Sequence, residues 1–239
     1  MQELRPPPLW GFLFEGIGLL ELPRLLLMYP YLSQQPSGEG APVMVLPGFG
    51  AGDESTALLR HYIKCIGYRA RGWGLGYSSG DVPQLIPRVI DQVASFALES
   101  GSKVRLIGWS LGGYLAREVA RERPDLVHSV ITLGSPVIGG PKYTAVAQVY
   151  RQRGFDVDGI ETWVQDRNRT PLEVPVTAIY SRLDGIVSWQ ACIDEGNKEI
   201  DHVEVRTTHL GFGFSPHVYR IIAEKLSRTK PAAVRLDSK

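Results

Sequence analysis

Cysteine is scarce in this chain, which has only Cys65 and Cys192 among its 239 residues. Neither belongs to a C-x-x-C pair, so they do not form a disulfide framework, and we interpret both as small buried apolar side chains. The sequence also lacks an H-E-x-x-H helix, a cysteine–histidine cluster and an EF-hand loop. We therefore expect no metal site.

An excess of charge of one sign is also absent. Lys and Arg number 26 and Asp and Glu number 25, which gives a formal net charge of +1 with both signs mixed along the chain. Without a polybasic block, the sequence predicts no nucleic-acid partner and gives no sign of attraction to an anionic membrane. Hydrophobic residues make up 44% of the chain, enough for a sizeable core, and the length fits one α/β domain.

A long uninterrupted apolar run is missing as well. The most apolar stretch, 9–32, is interrupted by Glu15, Glu21, Pro23 and Arg24, which argues against a transmembrane helix. It also lacks the basic start and cleavage site of a signal peptide, so we expect a cytoplasmic protein. We predict that residues 1–41 form a hydrophobic helical segment packed on the body. The alternative left open is an apolar flap that shapes a substrate groove or contacts a membrane peripherally.

After a turn-rich linker at 34–42, the sequence alternates between short apolar strands and helical patterns. This alternation predicts an α/β domain over 42–239, with a mostly parallel central sheet of about six strands and helices on both faces. Residues 55–67 are predicted as a helix capped by Ser55, and residues 201–209 as the last strand. The polar, aromatic stretch 139–172 breaks the alternation and is predicted to be a small helical cap insertion.

The stretch GWSLGG, which begins at Gly108, lies between the apolar strand KVRLI and an amphipathic helix. It fits the pattern G-x-S-x-G in the strand–turn–helix setting where that pattern marks a nucleophilic serine. The sharp turn forces Ser110 into a strained conformation, and small neighbours such as Gly112 leave room for the strand and the helix. Ser110 is therefore the candidate nucleophile, at the positive end of a helix.

A serine nucleophile needs a base and an acid that orients the base. Asp184 comes directly after the predicted strand VPVTAIY, and His209 lies at the carboxyl end of the last strand, after its residues HVEVR, in the chain order serine, acid, histidine that this arrangement requires. His217, near the same edge of the sheet, is the serious rival to His209. Asp194 and Asp201 compete with Asp184, but neither directly follows a strand.

Two backbone N–H groups should stabilise the oxyanion of the tetrahedral intermediate. The first is that of Leu111, directly after the nucleophile, and the second is that of Phe49 in the loop LPGFG. The competing interpretation of this loop as a dinucleotide site is weak, because Asp53 occupies the position of the third glycine.

Four segments, LPGFG, GWSLGG, SRLDGIV and THLGFG, make the chain resemble the α/β-hydrolases of the lipase and esterase branch, over roughly 42–228. The resemblance implies a Ser-His-Asp triad, two oxyanion donors and acyl transfer to water without a cofactor. The family commonly begins with an antiparallel pair of strands. Here a hydrophobic helical segment stands in their place, which implies a trimmed sheet, and the short insertion implies an open cleft.

The resulting hypothesis is an esterase or lipase-like hydrolase of carboxylic esters, with a small or lipid-like apolar substrate. Candidate substrate-binding residues are Trp109, Trp73, Tyr77 and Phe212, although each has an alternative role in packing or in anchoring a loop. The same triad would also serve an acyltransferase, a thioesterase or an amidase. A non-catalytic binding or membrane-docking protein of this fold is the remaining alternative. The sequence gives no indication of the oligomeric state.

Overall fold

The computed structural model describes residues 4–35, 37–197 and 199–228. The outermost parts of the two predicted segments, 1–3 and 229–239, lie outside the described residues, as does Pro36 in the predicted linker. All structural statements below refer to the described residues.

Six strands form one sheet in which every neighbouring pair is parallel, in the order β2-β1-β3-β4-β5-β6. The strands are β1 Pro42–Leu46, β2 Arg69–Gly72, β3 Val104–Trp109, β4 Val127–Leu133, β5 Val176–Tyr180 and β6 Ile200–Glu204. The predicted α/β fold with a mostly parallel sheet of about six strands is therefore confirmed. A parallel sheet brings the carboxyl ends of its strands to one edge, where the loops that carry function lie.

Helices cover both faces of the sheet, as predicted. They are α1 Leu9–Leu13, α2 Glu21–Leu32, α3 Ala57–Cys65, α4 Val82–Ser100, α5 Leu111–Glu122, α6 Ala147–Gln152, α7 Val157–Arg167 and α8 Pro216–Ser227. Strand β1 shows how the faces separate, because successive side chains point to opposite sides. Met44 and Leu46 join the core cluster under α4 and α5, whereas Val43 and Val45 join the one under α2, α3 and α8.

Local signals set the ends of some helices more clearly than others. Asp81 caps α4 by accepting a hydrogen bond from the Gln84 N–H at 3.3 Å, and Gly101 ends the helix with a φ of 64°. The prediction for α3 was wrong at its start. Residues Asp53–Thr56 form a 3₁₀ turn, and the hydroxyl of Ser55 donates to the Gly52 carbonyl at 2.7 Å instead of capping the helix.

The last strand is shorter than predicted. β6 ends at Glu204, opposite Tyr180, the last residue of its neighbour β5. As an edge strand, β6 has β5 as its one hydrogen-bonding neighbour in the sheet, so the ladder stops where β5 stops. The chain then continues as a loop, and His209 lies in that loop.

The amino-terminal segment consists of α1, a 3₁₀ helix at Glu15–Leu20, and α2. Helix α2 packs against α8 and buries Leu25 and Leu32, and the 3₁₀ helix packs against the turn Leu210–Gly213. None of the helices in the described part of the chain has both the length and the apolar run that crossing a membrane requires.

The connection between β4 and β5 carries a 3₁₀ turn at Gly140–Tyr143, followed by α6 and α7. Asp156 caps α7 by accepting from the Gly159 N–H at 3.0 Å. These short helices lie over the carboxyl edge of the sheet and contribute one wall of the cavity described below.

Candidate active site

Ser110 lies at the sharp turn between β3 and α5, with φ 56° and ψ −122°. Apart from Glu39, it is the one described non-glycine residue with a positive φ, a conformation that costs energy for a residue with a side chain. The turn is crowded. A methyl group at Gly108 would overlap the backbone of Gly112 and Gly113, so glycines are required here. Tight packing therefore holds the Ser110 hydroxyl in place at the amino end of α5.

Asp184 and His209 form a buried pair, from the loops that follow β5 and β6. His209 Nδ1 lies 2.7 Å from Asp184 Oδ2. The other carboxylate oxygen accepts from the N–H groups of Ile186 at 2.9 Å and Val187 at 2.7 Å, which fixes its orientation. Because a carboxylate only accepts, the ring carries its proton on Nδ1, and Nε2 is left with a lone pair for a base.

The pKa of His209 is raised from its ordinary value. Burial alone would lower it, since the charged ring is desolvated, but the negative charge of Asp184 and its hydrogen bond outweigh burial, with a smaller contribution from Glu15. The site therefore stabilises the imidazolium that forms when the ring takes up a proton.

Aromatic rings and one glycine surround this pair. The ring centroids of Trp109 and Phe212 lie 6.2 Å and 6.1 Å from that of His209. Gly134, with φ 53°, lies behind the pair, and a methyl group there would approach Asp184 Oδ2 at 2.8 Å and His209 Nδ1 at 3.1 Å. The sequence reasoning did not single out Gly134, although its position directly after β4 was a usable signal.

Trp109, directly before Ser110, brings the elbow and the imidazole side by side. The described structure gives Ser110 and His209 no hydrogen bond to one another. Such bonds are often long before substrate binds and shorten in the complex. Asp184 is therefore joined to His209 directly, and the ring of Trp109 links His209 to the turn that carries Ser110.

The predicted oxyanion residues flank the nucleophile. Leu111 is the first residue of α5, where backbone N–H groups have no acceptor inside the helix. The loop with Phe49 also packs on the serine, since a methyl group at Gly48 would lie 3.3 Å from the Ser110 Cβ. The Phe49 ring stacks on Tyr150 of α6 with centroids 4.3 Å apart, which ties this loop to the helices above it.

A cavity of about 360 Å³ opens at the elbow. Ser110, Leu111 and Phe49 line its floor, whereas Asp184 and His209 are not among its lining residues. Apolar and aromatic side chains dominate its walls: Val82, Leu111, Tyr114, Val146, Tyr150, Phe155, Ile160, Trp163 and Val164. Such a lining suits an apolar chain whose reacting end meets the serine.

The predicted substrate-binding residues take other positions. Trp73 is fully buried and its Nε1 donates to the Gly76 carbonyl at 2.9 Å, so it anchors its loop. Tyr77 is 73% exposed and bonds to Glu54, and Phe212 and Trp109 pack against His209. None of these four side chains lines the cavity.

The rival acids and the rival base have other surroundings. Asp194 pairs with Arg117 at 2.5 Å, and Asp201 pairs with Lys225 at 2.5 Å.

His217 is exposed on α8, where burial first and then the charges of Arg220 and Arg24 lower its pKa. Within the described residues, no group of three or more His, Cys, Asp or Glu side chains is placed to hold a metal ion.

Solved structures share this fold at low sequence identity. A monoacylglycerol lipase from Paleococcus ferrophilus superposes with a TM-score of 0.59, covering 81% of this chain and 96% of the other at 16% identity. A 2-hydroxy-6-oxo-6-phenylhexa-2,4-dienoate hydrolase from Rhodococcus sp. strain RHA1 gives a TM-score of 0.57, with coverages of 81% and 92% at 14% identity. At such identities the likeness concerns the fold alone.

Curated relatives match over a shorter range. The pimeloyl-[acyl-carrier protein] methyl ester esterase of Aeromonas hydrophila is 29% identical over 111 residues, which are 44% of this chain and 41% of the relative. The esterase of the same name from Aliivibrio fischeri is 27% identical over 107 residues, 42% and 39% respectively. The matches thus span about two fifths of these relatives. A model of the alpha/beta hydrolase family, in contrast, matches residues 43–233, and the chain belongs to that family.

Proposed function

We propose that this protein is a serine hydrolase that cleaves carboxylic esters with an apolar acyl chain. The observation that carries the proposal is the buried pair of Asp184 and His209, 2.7 Å apart, beside a strained serine. A core structure has no need of these three groups together. The curated relatives are named as methyl ester esterases, which supports ester chemistry over other reactions of this fold.

The proposed reaction begins when His209 Nε2 takes the proton of the Ser110 hydroxyl as the oxygen attacks the acyl carbonyl. Asp184 holds the ring and stabilises the imidazolium. The N–H groups of Phe49 and Leu111 donate hydrogen bonds to the carbonyl oxygen and stabilise the negative charge that develops on it. The imidazolium then protonates the departing alcohol, which leaves an acyl-enzyme on Ser110. Water, deprotonated by His209, releases the acid and restores the serine.

The cavity supports the choice of acyl group. Its aromatic and aliphatic walls converge on Ser110, so the acyl chain lies among apolar side chains while the scissile carbonyl faces the two N–H donors. We expect higher kcat/KM for medium-chain acyl esters than for acetyl esters, because each buried methylene contributes about 0.8 kcal/mol.

The test uses p-nitrophenyl esters of increasing acyl length and a fluorophosphonate probe with peptide mapping. We expect wild-type hydrolysis, a probe adduct on Ser110, and a loss of roughly 10³-fold or more in Ser110→Ala and in His209→Ala. The matched control is His61→Ala on α3, an exposed histidine that should leave kcat/KM unchanged.

The same assay separates the alternatives. Added alcohols that capture the acyl group faster than water would indicate an acyltransferase, and a preference for thioester or amide analogues would indicate those hydrolases. Inactivity of the wild type toward every acyl donor, with no probe adduct on Ser110, would contradict the proposal and favour a binding protein.

A further inference from the structure

Glu15 is a buried carboxylate in the most apolar part of the chain. It is only 3% exposed, whereas its neighbours Leu13, Phe14 and Ile17 are each more than half exposed. Burying a carboxylate costs free energy unless hydrogen bonds replace its water. The local sequence would place Glu15 in solvent and the apolar side chains inside. The inverted arrangement indicates that specific partners hold this carboxylate.

Those partners are backbone N–H groups of the two loops that carry the acid and the base. Glu15 Oε1 accepts from Gly185 N at 2.7 Å and from His209 N at 3.1 Å. The other oxygen, Oε2, accepts from Leu210 N at 2.8 Å. One side chain therefore bridges the residue after Asp184 and the histidine itself.

Close backbone contacts accompany this bridge. A methyl group at Gly11 would lie 3.2 Å from the Gly185 Cα, and one at Gly18 would lie 2.9 Å from the Gly211 Cα. In addition, the Thr208 hydroxyl donates to the Glu15 carbonyl at 3.3 Å. The amino-terminal segment is thus packed against both loops along the length of its 3₁₀ helix.

We propose that Glu15 is a positioning residue for the Asp184–His209 pair, acting through the backbone of both loops. This proposal rests on the proposed function, since it concerns the same base. Without Glu15, the Asp184 loop and the His209 loop would lose the side chain that binds both of them. The hydrogen bond between Asp184 and His209 would then have to hold the two side chains in place without that support. Of the charged groups that influence His209, Glu15 and Asp184 both favour the charged ring, so Glu15 also supports the imidazolium.

The test compares Glu15→Gln with wild type and with Glu21→Gln. Gln has nearly the same shape as Glu, but its NH₂ group is a hydrogen-bond donor. It therefore faces a backbone N–H, also a donor, at a position where the carboxylate oxygen of Glu15 accepts a hydrogen bond. We expect roughly a tenfold fall in kcat with little change in KM, because an unsatisfied buried donor disturbs the loops and not the cavity. Glu21 lies on the same segment, faces Arg24 at 3.8 Å, and should retain wild-type kcat.

A pH profile separates positioning from a general loss of stability. Removing the Glu15 charge lowers the pKa of His209, so the acid limb of kcat/KM should move to lower pH in Glu15→Gln, whereas Glu15→Asp, which keeps the charge, should retain the wild-type limb. A kcat within twofold of wild type together with an unmoved acid limb would contradict the proposal.

A measurement on the wild type covers the case in which the variants do not fold. The amides of Gly185 and Leu210 should exchange hydrogen slowly, since each donates to a buried oxygen. Rapid exchange at both amides would overturn the bridge. This readout needs no activity, so failure of the bridge and failure of the proposed esterase function are distinguishable.

The outward face of the same segment carries an independent signal. Of fifteen exposed large apolar side chains in the described residues, eleven lie between 10 and 31. They are Trp10, Phe12, Leu13, Phe14, Ile17, Leu19, Leu20, Leu26, Leu27, Met28 and Tyr31. We call this set the apolar face. Large apolar side chains exposed in such number on one segment are unusual on a soluble monomer and indicate an interaction surface.

Basic groups gather beside the apolar face. Arg24 is on α2, Arg220 is on α8, and both lie close enough to His217 for their charges to lower its pKa. No local sequence pattern indicates this cluster, because Arg24 and Arg220 are nearly 200 positions apart. Glu21, beside Arg24, is the acidic group that influences His217. Apolar side chains next to cations match the interface of an anionic bilayer.

We infer that the apolar face docks on an anionic lipid surface. The test is flotation of the full chain with vesicles of two parts phosphatidylcholine to one part phosphatidylglycerol, and with phosphatidylcholine alone. We expect stronger binding to the anionic vesicles, and losses of roughly tenfold for Leu27→Asp and for Arg24→Glu. Leu98→Asp is the control, because Leu98 is also largely exposed but lies on α4, outside the apolar face, and this variant should bind like wild type.

Two outcomes would overturn this inference. One is the absence of flotation with either vesicle. The other is a concentration-dependent dimer that Leu27→Asp dissociates, seen by light scattering without any vesicle binding, which would assign the apolar face to a second copy of this chain.

Discussion

At the scale of single residues, the site depends on atoms held against their usual preferences. Ser110 has a positive φ, Asp184 is buried, and His209 is charged more easily than burial alone would allow. Close neighbours stabilise each of these three states. Glycines make room around Ser110, backbone N–H groups bind the carboxylate of Asp184, and that carboxylate binds the imidazole ring of His209. The substitutions with the largest expected effects therefore lie next to these three residues as well as at them.

The raised pKa of His209 gives a pH prediction. The base must be neutral, so kcat/KM should fall as pH drops through this pKa, and the midpoint should lie above that of an ordinary histidine. Asp184→Asn removes the largest contribution that raises the pKa, so the midpoint should fall while kcat drops by roughly 10³–10⁴. Kinetics across a buffer series measure both. Asp184→Asn with an unshifted midpoint would contradict this assignment.

The glycines of the elbow give a stability prediction. A methyl group at Gly112 would overlap the carbonyl oxygens of Leu46 and Pro47, so Gly112→Ala should destabilise the protein by about 1–3 kcal/mol and reduce hydrolysis. Gly16→Ala is the matched control, because no atom lies within 4 Å of its added methyl group. It should change stability by less than about 0.5 kcal/mol. Urea unfolding measures both, and equal effects would refute the packing argument.

Among these residues, sequence reasoning found Ser110, Asp184 and His209 because each follows a strand of recognisable composition. It used Glu15 only as an interruption of an apolar run. The three N–H groups that Glu15 binds belong to residues 170 to 195 positions later in the chain. A partner so distant leaves no local pattern, so the bridge is visible only in the folded chain.

At the scale of elements, the helices between β4 and β5 contact the loop of Phe49, the proposed oxyanion donor, and also line the cavity. Tyr150 of α6 is buried and stacks on Phe49, and Arg153 lies over the same ring at 4.6 Å. The position of the Phe49 N–H thus depends on a helix outside the sheet.

Tyr150→Ala should accordingly lower kcat by roughly tenfold, since one oxyanion donor would lose its support, while Tyr150→Phe should keep the stacking and the rate. Steady-state kinetics with a medium-chain ester measure the effect. A change confined to KM would show that Tyr150 only binds substrate.

The elements also show where sequence patterns are sufficient. Asp81 marks the start of α4 by capping the N–H of Gln84, and Gly101 marks its end by taking a left-handed conformation. The start of α3 and the end of β6 do not follow from local residues. The first depends on a 3₁₀ turn that includes Ser55, and the second on the length of β5.

At the scale of the whole molecule, a buried ion pair ties α5 to the chain before β6. Arg117 is 1% exposed, and its Nη2 contacts Asp194 at 2.5 Å, while its Nε and Nη1 have no hydrogen-bond partner. Helix α5 begins directly after Ser110, so this pair links that helix to the segment that leads into the edge strand β6.

Asp194→Ala should destabilise the protein by about 3–5 kcal/mol, because it leaves a buried guanidinium without its partner. Asp201→Ala removes the pair with Lys225, in which the aspartate is half exposed to solvent, and should cost less than about 1 kcal/mol. Calorimetry of both variants checks the contrast. Equal melting temperatures would mean that the Arg117 pair contributes nothing beyond a surface contact.

The sequence predicts that the strands of the sheet are mostly parallel, but it does not predict their spatial order. Alternating strands and helices indicate parallel pairing, yet the spatial order β2-β1-β3-β4-β5-β6 depends on which crossover packs on which face. What the sequence alone could not give is the side on which the amino-terminal segment lies, since its partners are at the opposite end of the chain.

The bridge at Glu15 has a consequence for biosynthesis. A ribosome makes this glutamate before the loop containing Leu210, which emerges only after 195 further residues. Until then the carboxylate has nothing to bind, and a nascent chain can complete β1 to β4 without a working catalytic centre. Hydrolytic competence should therefore arise late and abruptly during translation, after the elbow has already formed.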